Sequence, residues 1–94
     1  MKAIRKKPGC KPEVIDIDNT LEALQAEVGG YIEAVTIADA VIICNEEGRI
    51  LGLPHNCRFC GVDFVGTILV VGYADDTFCD VPDEAFLLKS LRRA

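Results

Sequence analysis

The chain contains no tryptophan, one histidine, His55, and one serine, Ser90, among its 94 residues. Ser90 lies among leucines and cations near the chain end, which argues against a Ser-His-Asp catalytic site. No glycine-rich loop of the P-loop or dinucleotide-binding type is present. No apolar run approaches the ~20 residues of a membrane-spanning helix, and the opening residues are charged where a signal peptide would be apolar. The sequence therefore predicts a cytoplasmic protein that does not associate with a membrane, binds no cofactor and is not an enzyme.

Basic residues are scarce in the middle of the chain. The net charge of −5 comes from ten Lys and Arg against fifteen Asp and Glu. Eight of the bases lie at the two ends: Lys2, Arg5, Lys6, Lys7, Lys11, Lys89, Arg92 and Arg93. Arg49 and Arg58 are the only bases between positions 12 and 88, which hold all fifteen acids, a balance of −13. Such a segment repels duplex nucleic acid. A small anion needs only one or two arginines and a few backbone N–H groups, so it remains a possible ligand.

Length and composition favour one folded domain over residues 1–94. Half of the residues are hydrophobic and the mean hydropathy is +0.24, which excludes disorder for most of the chain. Two domains would each fall below the size that folds unaided.

Five cysteines form an odd set without an export signal, so free thiols are expected. Cys57 and Cys60 form a C-x-x-C sequence two residues after His55, which could supply two or three zinc ligands. A structural zinc site needs a fourth ligand, and the remaining cysteines are isolated along the chain. The interpretation adopted is therefore that no metal binds, with zinc as the alternative.

The first half of the sequence predicts two strands, a helix and two more strands. Residues 2–7 and 13–18 read as a hairpin through Pro8-Gly9. Asn19 and Glu22 resemble a capping box, so a helix is expected over 19–28, ended by Gly29-Gly30. Strands are expected over 31–37 and 41–44.

The second half predicts more strands and a closing helix. Residues 45–48 read as a turn into a strand over 49–53, and 54–61 as a loop. Ile68–Val71 has no polar face and reads as a central strand. A second helix is expected after Pro82, since acids precede its apolar stripe.

This order predicts an α+β fold, a mostly antiparallel sheet with two short helices in the order ββα, β strands, α. Both helices are expected against one face of the sheet. Because two short helices would leave part of the central strand uncovered, a homo-oligomer, either a dimer or a larger ring, is expected to cover it.

Six short motifs in a fixed order resemble a known family. They are Leu21–Gln25, Val28–Glu33, Cys44–Gly48, Leu51–Pro54, Asn56 and Val65–Thr67. The sequence is similar over about residues 12–90 to a family of small proteins catalogued as a domain of unknown function and common in phages and bacterial mobile elements. The resemblance implies a single α+β domain with no enzymatic activity tied to its pattern. It also implies a setting in which interference with host defence is more common.

Turns and strand ends within the matched region supply the candidate binding residues: Gly29, Gly30, Tyr31, Asn45, Arg49, Pro54, Asn56 and Arg58. Gathered at one edge of the sheet, their N–H groups, amides, aromatic ring and guanidinium groups would suit a base and a phosphate. Each also has a structural interpretation: a helix stop for the glycines, a turn for Asn45 and core packing for Tyr31.

The function expected from these features is non-catalytic sequestration of a small nucleotide signal, a cyclic oligonucleotide or an ADP-ribose derivative, to counter host antiviral defence. The alternative is an acidic protein-interaction module that inhibits or adapts a host protein through a surface imitating DNA phosphates.

Overall fold

The chain forms eight strands and two short helices in a computed structural model that describes all of residues 1–94. In chain order they are β1 Lys2–Lys6, β2 Glu13–Asp16, α1 Leu21–Val28, β3 Ile32–Ile37, β4 Ala40–Asn45, β5 His55–Phe59, β6 Val62–Val65, β7 Ile68–Ala74, β8 Thr77–Cys79 and α2 Glu84–Arg92. The α+β prediction and its element order are confirmed. Neither helix has the length and apolar character needed to cross a membrane.

The main sheet is antiparallel and has β7 at its centre. Its strands lie in the order β2-β1-β7-β4-β3, and β8 pairs with the far end of β7. Residues 68–71 are fully buried, as the absence of a polar face predicted. β5 and β6 pair only with each other and form a separate two-stranded sheet, called the β5–β6 hairpin below.

Apolar side chains cover both faces of the main sheet. On one face, Leu24 and Val28 of α1 pack in a cluster with Ala3, Ile17, Val41, Ile43, Leu69 and Val71. On the other face, Leu87 and Leu91 of α2 pack with Ile4, Ile42 and Val70 and with Cys57, Phe59 and Phe64 of the β5–β6 hairpin. Successive side chains of a strand point to opposite faces, so β1, β4 and β7 feed both clusters.

The prediction that both helices lie on one face is therefore wrong, because α1 and α2 pack on opposite faces. The physical reason is that the central strands are apolar on both sides and each side needs a cover. The β5–β6 hairpin supplies the extra cover on the α2 face. The argument for a homo-oligomer from an uncovered central strand no longer holds.

Residues 46–61 also differ from the sequence prediction. No strand forms over 49–53, because residues 46–52 form consecutive turns in which the N–H of Leu51 donates to the carbonyl of Glu47 at 2.9 Å. This segment is called the 46–52 turn. Residues 55–59 form β5 where a loop was predicted, and β8 was not predicted.

The start of α1 differs by one residue. Thr20, not Asn19, is the N-cap, and its hydroxyl oxygen accepts the N–H of Ala23 at 3.2 Å. The Asn19 amide instead donates to the carbonyl of Phe78 at 2.8 Å. The helix ends as predicted at Gly29, which adopts the left-handed conformation with φ +79°.

Candidate functional site

The candidate residues fall into three places. Gly29, Gly30, Tyr31 and Asn45 meet where α1 ends and the 46–52 turn begins. Arg49 and Arg58 both contact Asp63 of the β5–β6 hairpin, Arg49 at its carbonyl and Arg58 at its carboxylate. Pro54 and Asn56 lie at the base of that hairpin, beside Gly66.

The two glycine N–H groups are used by the end of the helix. Those of Gly29 and Gly30 both donate to the carbonyl of Gln25, at 2.8 and 3.1 Å. A helix C-terminus also carries partial negative charge. Neither N–H group is therefore free to donate to a phosphate.

Asn45 joins α1 to the 46–52 turn through a buried side chain. Its Nδ2 donates to the carbonyl of Val28 at 3.1 Å, and its Oδ1 accepts the N–H of Glu47 at 2.8 Å. A Cβ at Gly30 would lie 2.9 Å from this Nδ2, so the glycine is needed for a close approach. The depression beside them is about 220 Å³, and Tyr31 and Leu51 line it with exposed side chains. It suits apolar contact better than an anion.

Arg49 and Arg58 converge on Asp63. Arg58 Nη1 lies 2.8 Å from Asp63 Oδ2, and Arg49 Nη2 donates to the Asp63 carbonyl at 2.7 Å. His55 Nε2 lies 3.5 Å from Asp63 Oδ1. The pairing of β5 with β6 places Arg58 directly opposite Asp63. The result is a group of two guanidiniums, one carboxylate and one imidazole in an otherwise acidic segment, and it is called the Asp63 cluster.

A cleft of about 320 Å³ adjoins the Asp63 cluster. It lies between β3, the 46–52 turn and β6, and its lining includes Arg49 and Asp63. Val35, Ile50 and Val62 supply apolar wall, while Glu33 and Glu46 add carboxylates to the lining. The cleft can therefore bind a flat apolar group next to a guanidinium.

Cys44 also lines the cleft but is not an activated nucleophile. Burial raises the pKa of its thiol, Glu33 raises that pKa further, and Arg49 opposes them to a smaller extent. The thiol therefore stays protonated at neutral pH and reacts slowly.

Asn56 is committed to contacts inside the protein. Its Nδ2 donates to the carbonyls of Lys6 and Gly66 at 2.8 and 2.6 Å, and its Oδ1 accepts from Lys6 Nζ at 3.1 Å. The carbonyl of Pro54 accepts the N–H of Gly66 at 2.8 Å. The structure does not bring Asn56 or Pro54 to the cleft.

The C-x-x-C cysteines point to different environments. Cys57 is 1 % exposed in the core, where burial raises the pKa of its thiol, and Cys60 is exposed at the hairpin turn with φ +50°. Nowhere in the structure do three His, Cys, Asp or Glu side chains come together as metal ligands do. All five cysteines are free thiols.

Sequence reasoning missed Asp63 and the role of His55 beside it. Asp63 is one of fifteen acids and has no distinguishing neighbours in the sequence. Its contact with Arg58 depends on the β5–β6 pairing, in a segment that was predicted to begin as a loop. A prediction of the β5–β6 hairpin would have placed Asp63 opposite Arg58.

The fold and the cleft define a small α+β protein whose central sheet is covered on both faces. The chain belongs to the family described as a domain of unknown function, DUF3846, whose match spans residues 1–92. This confirms the expected family resemblance and extends it to β1. Neither the search of curated proteins nor that of solved structures gives a match.

Proposed function

We propose that the protein binds a small nucleotide signal without catalysis, with the phosphate at the Asp63 cluster and the base in the adjoining cleft. The observation that carries the proposal is the convergence of Arg49 and Arg58 on Asp63. These are the only two bases of residues 12–88.

The cleft supports this proposal by its size and walls. Small-ligand pockets are commonly ~300–1,000 Å³, and this one is about 320 Å³. Val35, Val62 and Phe64 offer apolar contact for a base. Each guanidinium has five N–H donors, and the contacts with Asp63 use only part of that set. Asp63 would orient the arginines, while its charge would limit affinity for a phosphate.

Binding without turnover would remove the signal from solution. The sequence resembles a family common in phages and bacterial mobile elements. In a phage, removing the signal would counter a host defence that uses a cyclic oligonucleotide or an ADP-ribose derivative as messenger. The cleft offers no activated nucleophile, since burial raises the pKa of the Cys44 thiol that lines it.

The test is titration calorimetry of the protein against a panel of cyclic oligonucleotides and ADP-ribose derivatives. One member should bind, and Arg58→Ala should weaken that binding by about 1.5–3 kcal/mol, the range for a hydrogen bond to a charged group. Arg93→Ala is the matched control, because Arg93 is exposed beyond α2. Flat traces for the whole panel, or equal losses in the two variants, would refute the proposal.

A protein-interaction module is the second candidate, favoured by the apolar side chains exposed around the 46–52 turn. Ile50 is 85 % exposed, Leu51 and Tyr31 are also exposed, and Glu46 and Glu47 lie in the same turn. This combination suits a partner with an apolar patch and basic rim. Pull-down from host lysate with wild type and Ile50→Asp distinguishes the two: a stoichiometric protein lost with Ile50→Asp and carrying no nucleotide favours the module.

A further inference from the structure

The main sheet has two edges, and only one is protected. β2, at one edge, has four residues with acids at both ends, and the Arg5 side chain pairs with Glu13. β3, at the other edge, has six residues, and Glu33 is its only charge. It contains no proline or lysine, and its pairing with β4 has no bulge. Natural proteins usually protect edge strands with such devices.

The outer side of β3 presents free backbone groups. The N–H of Glu46 donates to the carbonyl of Tyr31 at 2.8 Å, one step beyond the pairing of Ile32 with Asn45, so the carbonyl of Tyr31 points towards β4. Because hydrogen-bonded and non-hydrogen-bonded pairs alternate along an antiparallel ladder, the N–H and C=O groups of Ile32, Ala34 and Thr36 point away from β4. No other strand of the chain lies beyond them.

We propose that a second copy of this chain pairs with β3 in antiparallel orientation, on a two-fold axis at Ala34. The pairing needs no ligand and goes beyond the proposed nucleotide binding, with which it shares the cleft. The axis at Ala34 pairs each Ile32 with a Thr36 and the two Ala34 residues with each other, so that all three outward residues of each copy are used. The two sheets become one continuous sheet.

Charge supports this register. An axis at Glu33 would place two carboxylates directly opposite each other, which is unfavourable. With the axis at Ala34, each Glu33 faces a Val35 of the other copy. The small side chain at the axis also allows the two strands to approach.

Apolar surface on the α2 face supports a second copy as the occupant. The cleft lies beside Glu33 and Val35, and Phe86, 69 % exposed, lies beside Ile37 towards the other end of β3. Both lie on the α2 face, since Val35 and Ile37 pack against its cluster. The two-fold axis reverses one strand against the other and brings the Phe86 end of each copy to the cleft end of the other. One surface therefore carries both the projecting ring and the concave counterpart, as an isologous interface requires.

Sedimentation equilibrium at tens to hundreds of micromolar tests the pairing. Wild type should be a dimer that tightens as salt is added, because each copy carries −5. Ala34→Lys should raise the dissociation constant on the order of tenfold, because it places two like charges face to face. Ala74→Lys, an equal change on an exposed strand residue away from β3, should leave it unchanged. If Ala34→Lys fails to fold by circular dichroism, Ala34→Glu takes its place, because it also sets two like charges face to face.

Hydrogen exchange gives a second measurement. The N–H groups of Ile32, Ala34 and Thr36 should exchange slowly at high protein concentration and quickly on dilution, while those of β4 stay protected throughout. A monomer of 10.2 kDa at every concentration overturns the proposal. A dimer that survives both β3 variants, or one lost equally in Ala74→Lys, also overturns it. The proposal is also overturned if these amides are protected only when a different protein is added. All these measurements use protein without nucleotide, so failure of the pairing is distinguished from failure of the nucleotide proposal.

Discussion

Asn56 shows how one buried amide can hold two parts of the molecule together. It contacts the carbonyls of Lys6 and Gly66 and the ammonium of Lys6, which is itself 6 % exposed. That ammonium has no carboxylate partner. Asn56 was predicted to bind a ligand, and the structure gives its amide a role in attaching the β5–β6 hairpin to β1.

Replacing Asn56 should destabilise the fold strongly. Asn56→Ala removes the amide's hydrogen bonds to two carbonyls and leaves the buried Lys6 ammonium only its 3.5 Å contact with the carbonyl of Lys7. It should lower the free energy of unfolding by about 2–4 kcal/mol. Urea denaturation measures the change. Asn19→Ala, which removes one exposed contact with Phe78, should lower it by no more than about 1 kcal/mol. Equal losses in the two variants would contradict the role assigned to Asn56.

At the scale of elements, α1 illustrates both the strength and the limit of the sequence pattern. Its apolar stripe and the glycine at its end predicted the helix, and Leu24 and Val28 are the buried residues of that stripe. Its first turn was misassigned because two adjacent residues, Asn19 and Thr20, are both good N-caps. The choice depends on the carbonyl of Phe78, a contact 59 positions away that engages the Asn19 amide.

The N-cap of α1 can be tested by substitution at Thr20. Thr20→Ala should lower the free energy of unfolding by about 1 kcal/mol, because the N–H of Ala23 loses its acceptor. Thr20→Ser keeps the hydroxyl and should restore most of the loss. Thermal denaturation followed by circular dichroism measures both. A loss in Thr20→Ser as large as that in Thr20→Ala would show that the hydroxyl is not what matters.

The β5–β6 hairpin was not predicted for a physical reason. Two adjacent residues of β5, Asn56 and Cys57, are both buried, and the register shifts between His55 and Cys57. A bulge of this kind breaks the alternation by which a strand is recognised. The charge pattern alone was enough to single out Arg49 and Arg58. Their common contact with Asp63 depends on the pairing of two strands, which no local pattern encodes.

At the scale of the whole molecule, the two apolar clusters that cover the sheet differ in their cysteine content. The cluster under α2 and the hairpin contains two cysteines, Cys44 and Cys57, whereas the cluster under α1 contains none. Burial raises the pKa of both thiols above the ordinary value of 9.0. The folded chain therefore keeps these protons in a pH range in which the unfolded chain releases them.

Stability should fall in alkaline solution as a result. Well below the ordinary thiol pKa of 9.0, both thiols are protonated in either state and their contribution is complete. As the pH rises above that value, the unfolded chain ionises first and the free energy of unfolding decreases. Urea denaturation between pH 8 and 10.5, a range set by the thiol pKa, should show a shallower decrease for Cys57→Ala than for wild type.

Cys60→Ala serves as the control for this comparison, because Cys60 is exposed. The slopes are compared, since Cys57→Ala also leaves a cavity that lowers stability at every pH. Identical slopes for Cys57→Ala and wild type would exclude the thiol as a cause.

The separateness of the β5–β6 hairpin bears on how such a protein diversifies. Its inward side chains, Cys57, Phe59 and Phe64, anchor it to the core. The side chains of His55, Arg58 and Asp63 face outward, and neither strand of the hairpin pairs with the main sheet. Outward positions can mutate at little energetic penalty, as surface substitutions generally do. The side chains to which the proposed binding is assigned can therefore vary between relatives while the core beneath them stays the same.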